Sequence, residues 1–114
     1  MARYLVTGEY VDPGPLLPPQ QLVQMVEQMV IPSFEALARL EEQKKVLGGG
    51  IVAGARAGAF VVDVASNTEL NQLLQGLPMW GIVKFTATPL QTFQERAADE
   101  RKAMEQMKKS VSYN

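Results

Sequence analysis

The stretch FVVDVASNTELNQLLQGLP, residues 60–78, constrains the fold of this chain more than any other part. Its first residues alternate between two faces, which is typical of a β-strand. Ser66 then precedes a helical pattern and Glu69 follows three residues later, which is the spacing of a capping box at the start of a helix. Gly76 and Pro78 end that pattern, because glycine and proline disfavour a helix interior. The stretch therefore predicts a strand and a short capped helix that stops abruptly.

Periodic patterns on both sides of this stretch complete the order of elements. Strands are predicted at residues 3–11, 50–56, 59–65 and 79–88, and two longer helices are predicted at residues 20–47 and 92–110. The segment DPGPLLPP, residues 12–19, is predicted to be a connector, because proline lacks the backbone donor that regular structure requires. Pro32 either kinks the first long helix or divides it in two. The glycines at 48–50 are expected to cap the end of that helix.

The element order predicts an α+β fold. A strand, helix, strand, strand, helix and strand in succession form the split βαββαβ unit of ferredoxin-like proteins, here with an extra C-terminal helix. We expect a single domain over residues 1–114, with 90–114 forming a helix that packs on a partner subunit, because its apolar stripe is too narrow to anchor a core. Two sheets facing each other would give a dimeric α+β barrel.

Composition excludes several classes of function. The 114 residues hold 11 basic and 12 acidic side chains, a net charge of -1, so the chain offers no basic surface for nucleic acid. The chain contains neither cysteine nor histidine, which removes thiolate chemistry and the commonest metal ligand and general base. We therefore expect no metal site. With no membrane span or signal-like segment in the sequence, a cytoplasmic protein is expected.

Strand alternation predicts that the two faces of the sheet differ. The side chains expected beneath the helices are bulky and apolar: Phe60, Val62, Val64, Val83 and Phe85. The opposite face mixes aliphatic, hydroxyl and charged side chains: Thr7, Glu9, Val61, Asp63, Ile82, Lys84 and Thr86. This mixture predicts either a small pocket or a hydrated interface on the open face.

The motifs of this chain resemble those of the muconolactone isomerase-like family. The matching features are the strand Val61 to Val64, the Ser66, Glu69 and Leu70 pattern of the helix, and the Leu77-Pro78 stop. The resemblance covers residues 3–97, nearly the whole chain. It implies dimeric α+β barrels that isomerise lactones without a cofactor in the catabolism of aromatic compounds, by proton abstraction and return. It also implies homo-oligomers.

Asp63 and Lys84 are the candidate catalytic residues. A carboxylate among apolar neighbours suits proton transfer, so Asp63 is a candidate base. The alternative, which we favour, is a salt bridge from Asp63 to Arg3 across the sheet. Lys84, in the middle of its strand, would stabilise an enolate or bind an anionic substrate. Its alternative is a lysine that extends to the barrel rim.

Four further residues are candidate substrate-binding groups: Tyr4, Glu9, Arg56 and Trp80. Tyr4 and Trp80, together with Tyr10, would line an apolar pocket with polar tips, although aromatic residues in strands more often belong to a core. Arg56 lies near a hairpin turn, where it is either solvated or binds an anion. Glu9 shares the open face with Asp63 but is expected at the other end of the sheet.

Two classes of function remain open. The first is an isomerase that transposes a carbon–carbon double bond in a small lactone or related carbonyl compound. The second is a non-catalytic module of the same fold that binds a small molecule or assembles with its own copies. The absence of histidine and the small residues at 48–54 motivate the second hypothesis.

Overall fold

Four antiparallel strands form one sheet, which carries helices on one face. The computed structural model describes residues 2–11 and 17–111. The strands are β1 (Ala2–Tyr10), β2 (Val46–Ile51), β3 (Ala57–Val64) and β4 (Val83–Leu90), in the spatial order β2-β3-β1-β4. The helices are α1 (Pro19–Met25), α2 (Ile31–Glu42), α3 (Asn67–Gln75) and α4 (Phe93–Val111). This order and pairing confirm the predicted α+β, ferredoxin-like class.

The predicted burial pattern of β3 is confirmed, whereas Ile82, predicted for the open face, packs against the core. Phe60, Val62 and Val64 are buried, whereas the intervening Val61 and Asp63 are partly exposed. The buried apolar core joins these strand residues to α3 and the segment after it, and consists of Val6, Val46, Phe60, Val62, Val64, Leu70, Leu74, Leu77 and Met79. The core therefore lies on the helix-covered face, and no helix within residues 2–11 and 17–111 lies over the opposite face of the sheet.

Pro32 marks a change in helical geometry rather than a break. A π-helical turn, Val26–Val30, joins α1 to α2, and the Ile31 N–H donates to the Val26 carbonyl five residues earlier. Pro32 falls in the first turn of α2, where its missing N–H is tolerated. The prediction was that Pro32 either kinks the helix or divides it. The structure shows one continuous helical segment that contains a wide π-helical turn just before Pro32.

The predicted boundary between the first long helix and β2 is wrong. The helix ends at Glu42, not at residue 47, and Lys44 takes the left-handed conformation with φ of 65°. The glycines belong to β2, which begins at Val46 because that side chain is buried in the core. Gly49, with φ of 137°, lies where a Cβ would be 2.3 Å from the Ala59 carbonyl oxygen. Gly49 therefore allows β2 to lie close against β3.

The predicted connector and last strand also differ in detail. Residues 12–16 of the connector lie outside the described residues. The 3-10 turn Trp80–Ile82 precedes β4, which begins at Val83 rather than Met79 because Met79 turns into the core. Pro89 does not close the strand but lies within it. An edge strand accommodates proline because one side of it needs no partner strand.

The capping box of α3 forms as predicted. The Ser66 hydroxyl accepts a hydrogen bond from the Glu69 N–H at 3.1 Å, and the Glu69 carboxylate accepts one from the Ala65 N–H at 2.8 Å. The bond from Ala65 holds the pKa of Glu69 below its ordinary value of 4.5, with a smaller contribution from Lys45, whose Nζ lies 3.5 Å away.

A buried serine connects α2 to the segment that precedes β4. Ser33 is fully buried, and its hydroxyl donates to the Met29 carbonyl at 2.6 Å and accepts from the Met79 N–H at 2.9 Å. The first bond uses the preceding turn of the same helical segment. The second satisfies a backbone donor that would otherwise be buried without a partner.

The last helix, α4, extends away from the sheet. Every residue from Phe93 to Val111 is exposed, and the longest dimension of the molecule is 73 Å. Thr92 begins the helix with a second capping box, because its hydroxyl accepts from the Glu95 N–H at 3.0 Å and its own N–H donates to the Glu95 carboxylate at 3.2 Å. None of the helices in the described ranges is both long and apolar enough to cross a bilayer.

Candidate functional site

A largely apolar cavity of about 400 Å³ lies between the sheet and the first helical segment. The sheet contributes its helix-facing side, and α1, the π-helical turn and α2 contribute the opposite wall. The lining residues are Gly8, Tyr10, Leu22, Met25, Val26, Val30, Phe34, Leu37, Ile51, Ala55, Arg56, Ala57, Gly58, Phe60, Met79, Val83 and Phe85. Among these, Arg56 alone is charged and Tyr10 alone carries a hydroxyl. The cavity thus offers an apolar volume with one polar corner.

Two glycines allow side chains of the cavity wall to pack closely onto the sheet. Gly8 of β1 and Gly58 of β3 are register partners, and both line the cavity. A Cβ on Gly8 would lie 3.0 Å from Val83 Cγ1 and 3.1 Å from Phe85 Cε1, and one on Gly58 would lie 2.9 Å from Ile51 Cδ1. The neighbouring side chains therefore already take the space that larger residues at these positions would need.

The polar corner is assembled from the end of β1 and the turn between β2 and β3. The Tyr10 N–H donates to the Arg56 carbonyl at 3.0 Å. The Arg56 guanidinium carbon lies 5.3 Å from the centroid of the Tyr10 ring, and the Tyr10 hydroxyl donates to Met25 Sδ at 3.7 Å. The two polar groups are thereby held against the helical wall of the cavity.

Arg56 is available to an anionic ligand. The ion pairs Lys45 with Glu69 and Arg96 with Glu100 do not involve Arg56, and no carboxylate within residues 2–11 and 17–111 forms an ion pair with its guanidinium. A guanidinium presents a planar set of donors that matches a carboxylate, and its position over an aromatic ring restricts its orientation. The corner therefore has the chemistry of a carboxylate-binding group.

The other aromatic candidates lie outside the cavity lining. Tyr4 packs partly against the core, and its hydroxyl donates to the Asn67 side-chain oxygen. Trp80 lies in the 3-10 turn and stacks on Phe85, with ring centroids 6.0 Å apart. Phe85 lines the cavity and Trp80 does not, so Trp80 contacts a residue of the cavity wall without lining the cavity itself. Of the four predicted substrate-binding residues, Arg56 is the one that the structure places in the cavity.

Asp63, Lys84 and Glu9 lie on the open face of the sheet. Asp63 is the register partner of Arg3, yet within the described residues no ion pair joins them, and Asp63 Oδ1 is buried without a hydrogen-bond partner. Glu9 pairs in register with Lys84 of β4 and with Ala57 of β3. Asp63 lies six positions after Ala57 in β3, so the two residues are about 20 Å apart along the strand. Asp63 and Lys84 of one chain therefore lie at opposite ends of this face.

Sequence patterns gave little indication of the cavity. The polar residues of the strands predicted a pocket or interface on the open face, whereas the cavity lies on the helix-covered side. The usable signal was Gly8 within an otherwise bulky strand, since an isolated glycine in a strand often marks a close approach or a site. Its partner Gly58 adds to this signal only when the register of β1 and β3 is known. No group of acidic side chains in the described residues is arranged to hold a metal ion.

The fold and cavity define a class of protein: a small ferredoxin-like α+β protein with a ligand-sized, apolar cavity between sheet and helices. The chain belongs to the muconolactone delta-isomerase family, whose sequence profile matches residues 15–96. The strand β1 and most of α4 lie outside this match.

Comparison with solved structures agrees with the fold. The crystal structure of muconolactone isomerase at 3.3 Å resolution superposes with a TM-score of 0.63 at 21% identity, covering 79% of this chain and 88% of that chain. At this identity the likeness supports the fold alone. A glycine-to-threonine mutant of Rv3291c is 26% identical over 82% of this chain and 52% of that chain, but its TM-score of 0.47 is too low to support an argument. No curated protein matches the sequence.

Proposed function

We propose that this protein is a cofactor-free isomerase of a small lactone or related carbonyl compound that bears a carboxylate. Family membership over residues 15–96 supports an isomerase, and the apolar cavity with Arg56 at one corner supports this kind of substrate. The reaction removes a proton from a carbon conjugated with the carbonyl group and returns a proton to another carbon. The double bond moves, and no atom is gained or lost.

The cavity carries the binding part of this proposal. A volume of about 400 Å³ suits a small organic molecule. Apolar walls would bury the ring of the ligand, and Arg56 would pair with its carboxylate. Apolar walls beside the pair would strengthen it relative to a pair at a fully open surface.

Tyr10 is the group of the cavity best suited to transfer a proton. Its hydroxyl is the sole side-chain O–H of the lining, and the Arg56 guanidinium over its ring would stabilise the negative charge of an enolate bound at this corner. Asp63 and Lys84 stay candidates for the open face, where a second chain would complete a site. The homodimer that brings two open faces together is part of the proposal, as are a cytoplasmic location and a role in aromatic catabolism.

A second candidate function is binding without catalysis. One observation favours it: no carboxylate belongs to the lining of the cavity within the described residues, so the usual base for such an isomerisation is absent from it. In that case the protein would bind the same class of small anion and release it unchanged.

The decisive experiment follows muconolactone with the purified protein in D2O by proton NMR. An isomerase moves the double bond and incorporates deuterium at carbon, whereas a binding protein shows saturable binding without either change. If the protein shows no turnover and no binding of muconolactone even at high protein concentration, both candidate functions are overturned. Single variants Tyr10→Phe, Asp63→Asn and Lys84→Met then assign the proton transfer, because only the variant that lacks the transferring group loses turnover while keeping ligand affinity.

A further inference from the structure

The helix α4 carries an apolar seam whose side chains are exposed in the single chain. Phe93 is 98% exposed, Met107 is 64% exposed and Val111 is 68% exposed. Helices in proteins draw most of their stability from the packing of an apolar face, and every residue of α4 is exposed in the single chain. The family match ends at residue 96, so most of α4 lies outside the part of the chain that the family explains. Packing of the exposed seam against a partner would therefore remove its apolar side chains from water.

The seam has the spacing of a two-helix coiled coil. Its positions follow one another at intervals of four, three, four, three and four residues: Phe93, Ala97, Glu100, Met104, Met107 and Val111. This alternation is the 3.5-residue period at which two helices keep one face in contact. Five of the six positions are apolar.

The same seam is symmetric about its centre. If a second copy of α4 runs antiparallel with its centre at residue 102, Phe93 lies opposite Val111 and Ala97 lies opposite Met107. Large residues then meet smaller ones along the seam. Glu100 lies opposite Met104, so the two carboxylates are kept apart. In a parallel pair, Glu100 would lie opposite Glu100 and Ala97 opposite Ala97, which brings like charges together and leaves a gap.

Charge along α4 favours the same orientation. Residues 93–100 contain three carboxylates and one arginine, a net charge of −2, and residues 101–111 contain four cations and one carboxylate, a net charge of +3. An antiparallel pair places the acidic half of each helix beside the basic half of the other. A parallel pair places like halves together.

We propose that α4 binds α4 of a second copy in an antiparallel two-helix pair related by a two-fold axis. This contact is separate from the open face of the sheet and from the cavity. It gives the protein an assembly contact that does not depend on what the cavity binds.

A pair of double variants tests whether the seam carries the contact. Met104→Glu with Met107→Glu places charges in the seam, and Ala98→Glu with Gln106→Glu adds the same charge on the outer side of the same helix. We expect the seam variant to lower the molar mass of the assembly at least twofold in light scattering, with the thermal unfolding of the sheet domain unchanged. The outer variant should keep the wild-type mass. Equal masses for the two variants would overturn the proposal.

Cross-linking tests the orientation in the folded full-length chain. Because the chain has no cysteine, single thiols report one contact each. A mixture of Ala97→Cys and Met107→Cys should form a mixed disulfide dimer, since the two positions face each other. Ala97→Cys alone should not cross-link to itself, because ten residues along the pair, roughly 15 Å, separate its two copies. Self-cross-linking of Ala97→Cys with none in the mixture would show a parallel pair and overturn the proposal.

Discussion

The Arg56 guanidinium carbon lies 5.3 Å from the centre of the Tyr10 ring, and the Tyr10 backbone N–H donates to the Arg56 carbonyl. One residue comes from the turn between β2 and β3 and the other from the end of β1. Sheet pairing therefore brings a cation and a phenol to the same corner of an apolar cavity.

Replacing Arg56 by glutamine should weaken the binding of carboxylate ligands. The loss of a charge-assisted hydrogen bond predicts a rise in Kd of about 10- to 100-fold. Calorimetric titration with a small lactone carboxylate measures it. Arg3→Gln, which removes an exposed arginine far from the cavity, serves as the control and should leave Kd unchanged. A ligand whose carboxylate is replaced by a neutral amide should bind equally to wild type and Arg56→Gln.

Filling the cavity should prevent binding without unfolding the protein. Val26 lines the cavity, whereas Val23, three residues earlier, is exposed and lies outside the lining. We expect Val26→Trp to raise the Kd at least tenfold, because the indole takes the volume that the ligand needs, and Val23→Trp to have no effect. Equal affinities for the two variants would place the ligand elsewhere.

Removing the Ser33 hydroxyl should destabilise the fold. Ser33→Ala leaves the buried Met79 N–H without an acceptor, which costs about 1–3 kcal/mol. Urea unfolding followed by Trp80 fluorescence measures the change. Ser110→Ala, on the exposed α4, should alter the unfolding free energy by less than about 0.5 kcal/mol. A similarly small effect at Ser33 would contradict the role assigned to its hydroxyl.

Gly49 and Gly50 are adjacent but should respond differently to alanine. The Gly49 φ of 137° and the 2.3 Å approach of the Ala59 carbonyl leave no place for a Cβ, whereas the Gly50 site is open. Backbone strain alone predicts a loss of about 1–3 kcal/mol for Gly49→Ala. Gly50→Ala should be nearly neutral in the same urea titration. Comparable losses at both sites would mean that β2 does not lie against β3 as described.

Glu69 should make stability depend on pH in the acid range. Its pKa in the folded protein is below the ordinary value of 4.5, so its contribution is complete above that value and is lost as the pH falls through the folded pKa. Glu69→Gln should therefore be less stable than wild type at pH 7, and the difference should shrink towards pH 3. Glu41→Gln, on the exposed end of α2, is the control. If the stability difference between wild type and Glu69→Gln stays constant with pH, the lowered pKa of Glu69 is not its cause.

The alternation of residues 60–64 and the capping box at Ser66 were sufficient to predict β3 and α3, because both depend on neighbours in sequence. The end of α2 was misplaced because Val46 is buried by tertiary packing, and this outweighs the glycine pattern that follows it. The cavity was not predictable, since it requires Gly8 to lie opposite Gly58 and a helical wall at a distance that no local pattern encodes.

Pro89 in β4 has a consequence for how this molecule avoids aggregation. The outer side of an edge strand is a template on which a foreign strand can add, and a proline there interrupts the row of donors that such addition needs. Pro89 lies close to Phe93, so this interruption falls at the end of β4 from which the chain continues into α4. Addition of a foreign strand at this end of β4 is thus disfavoured.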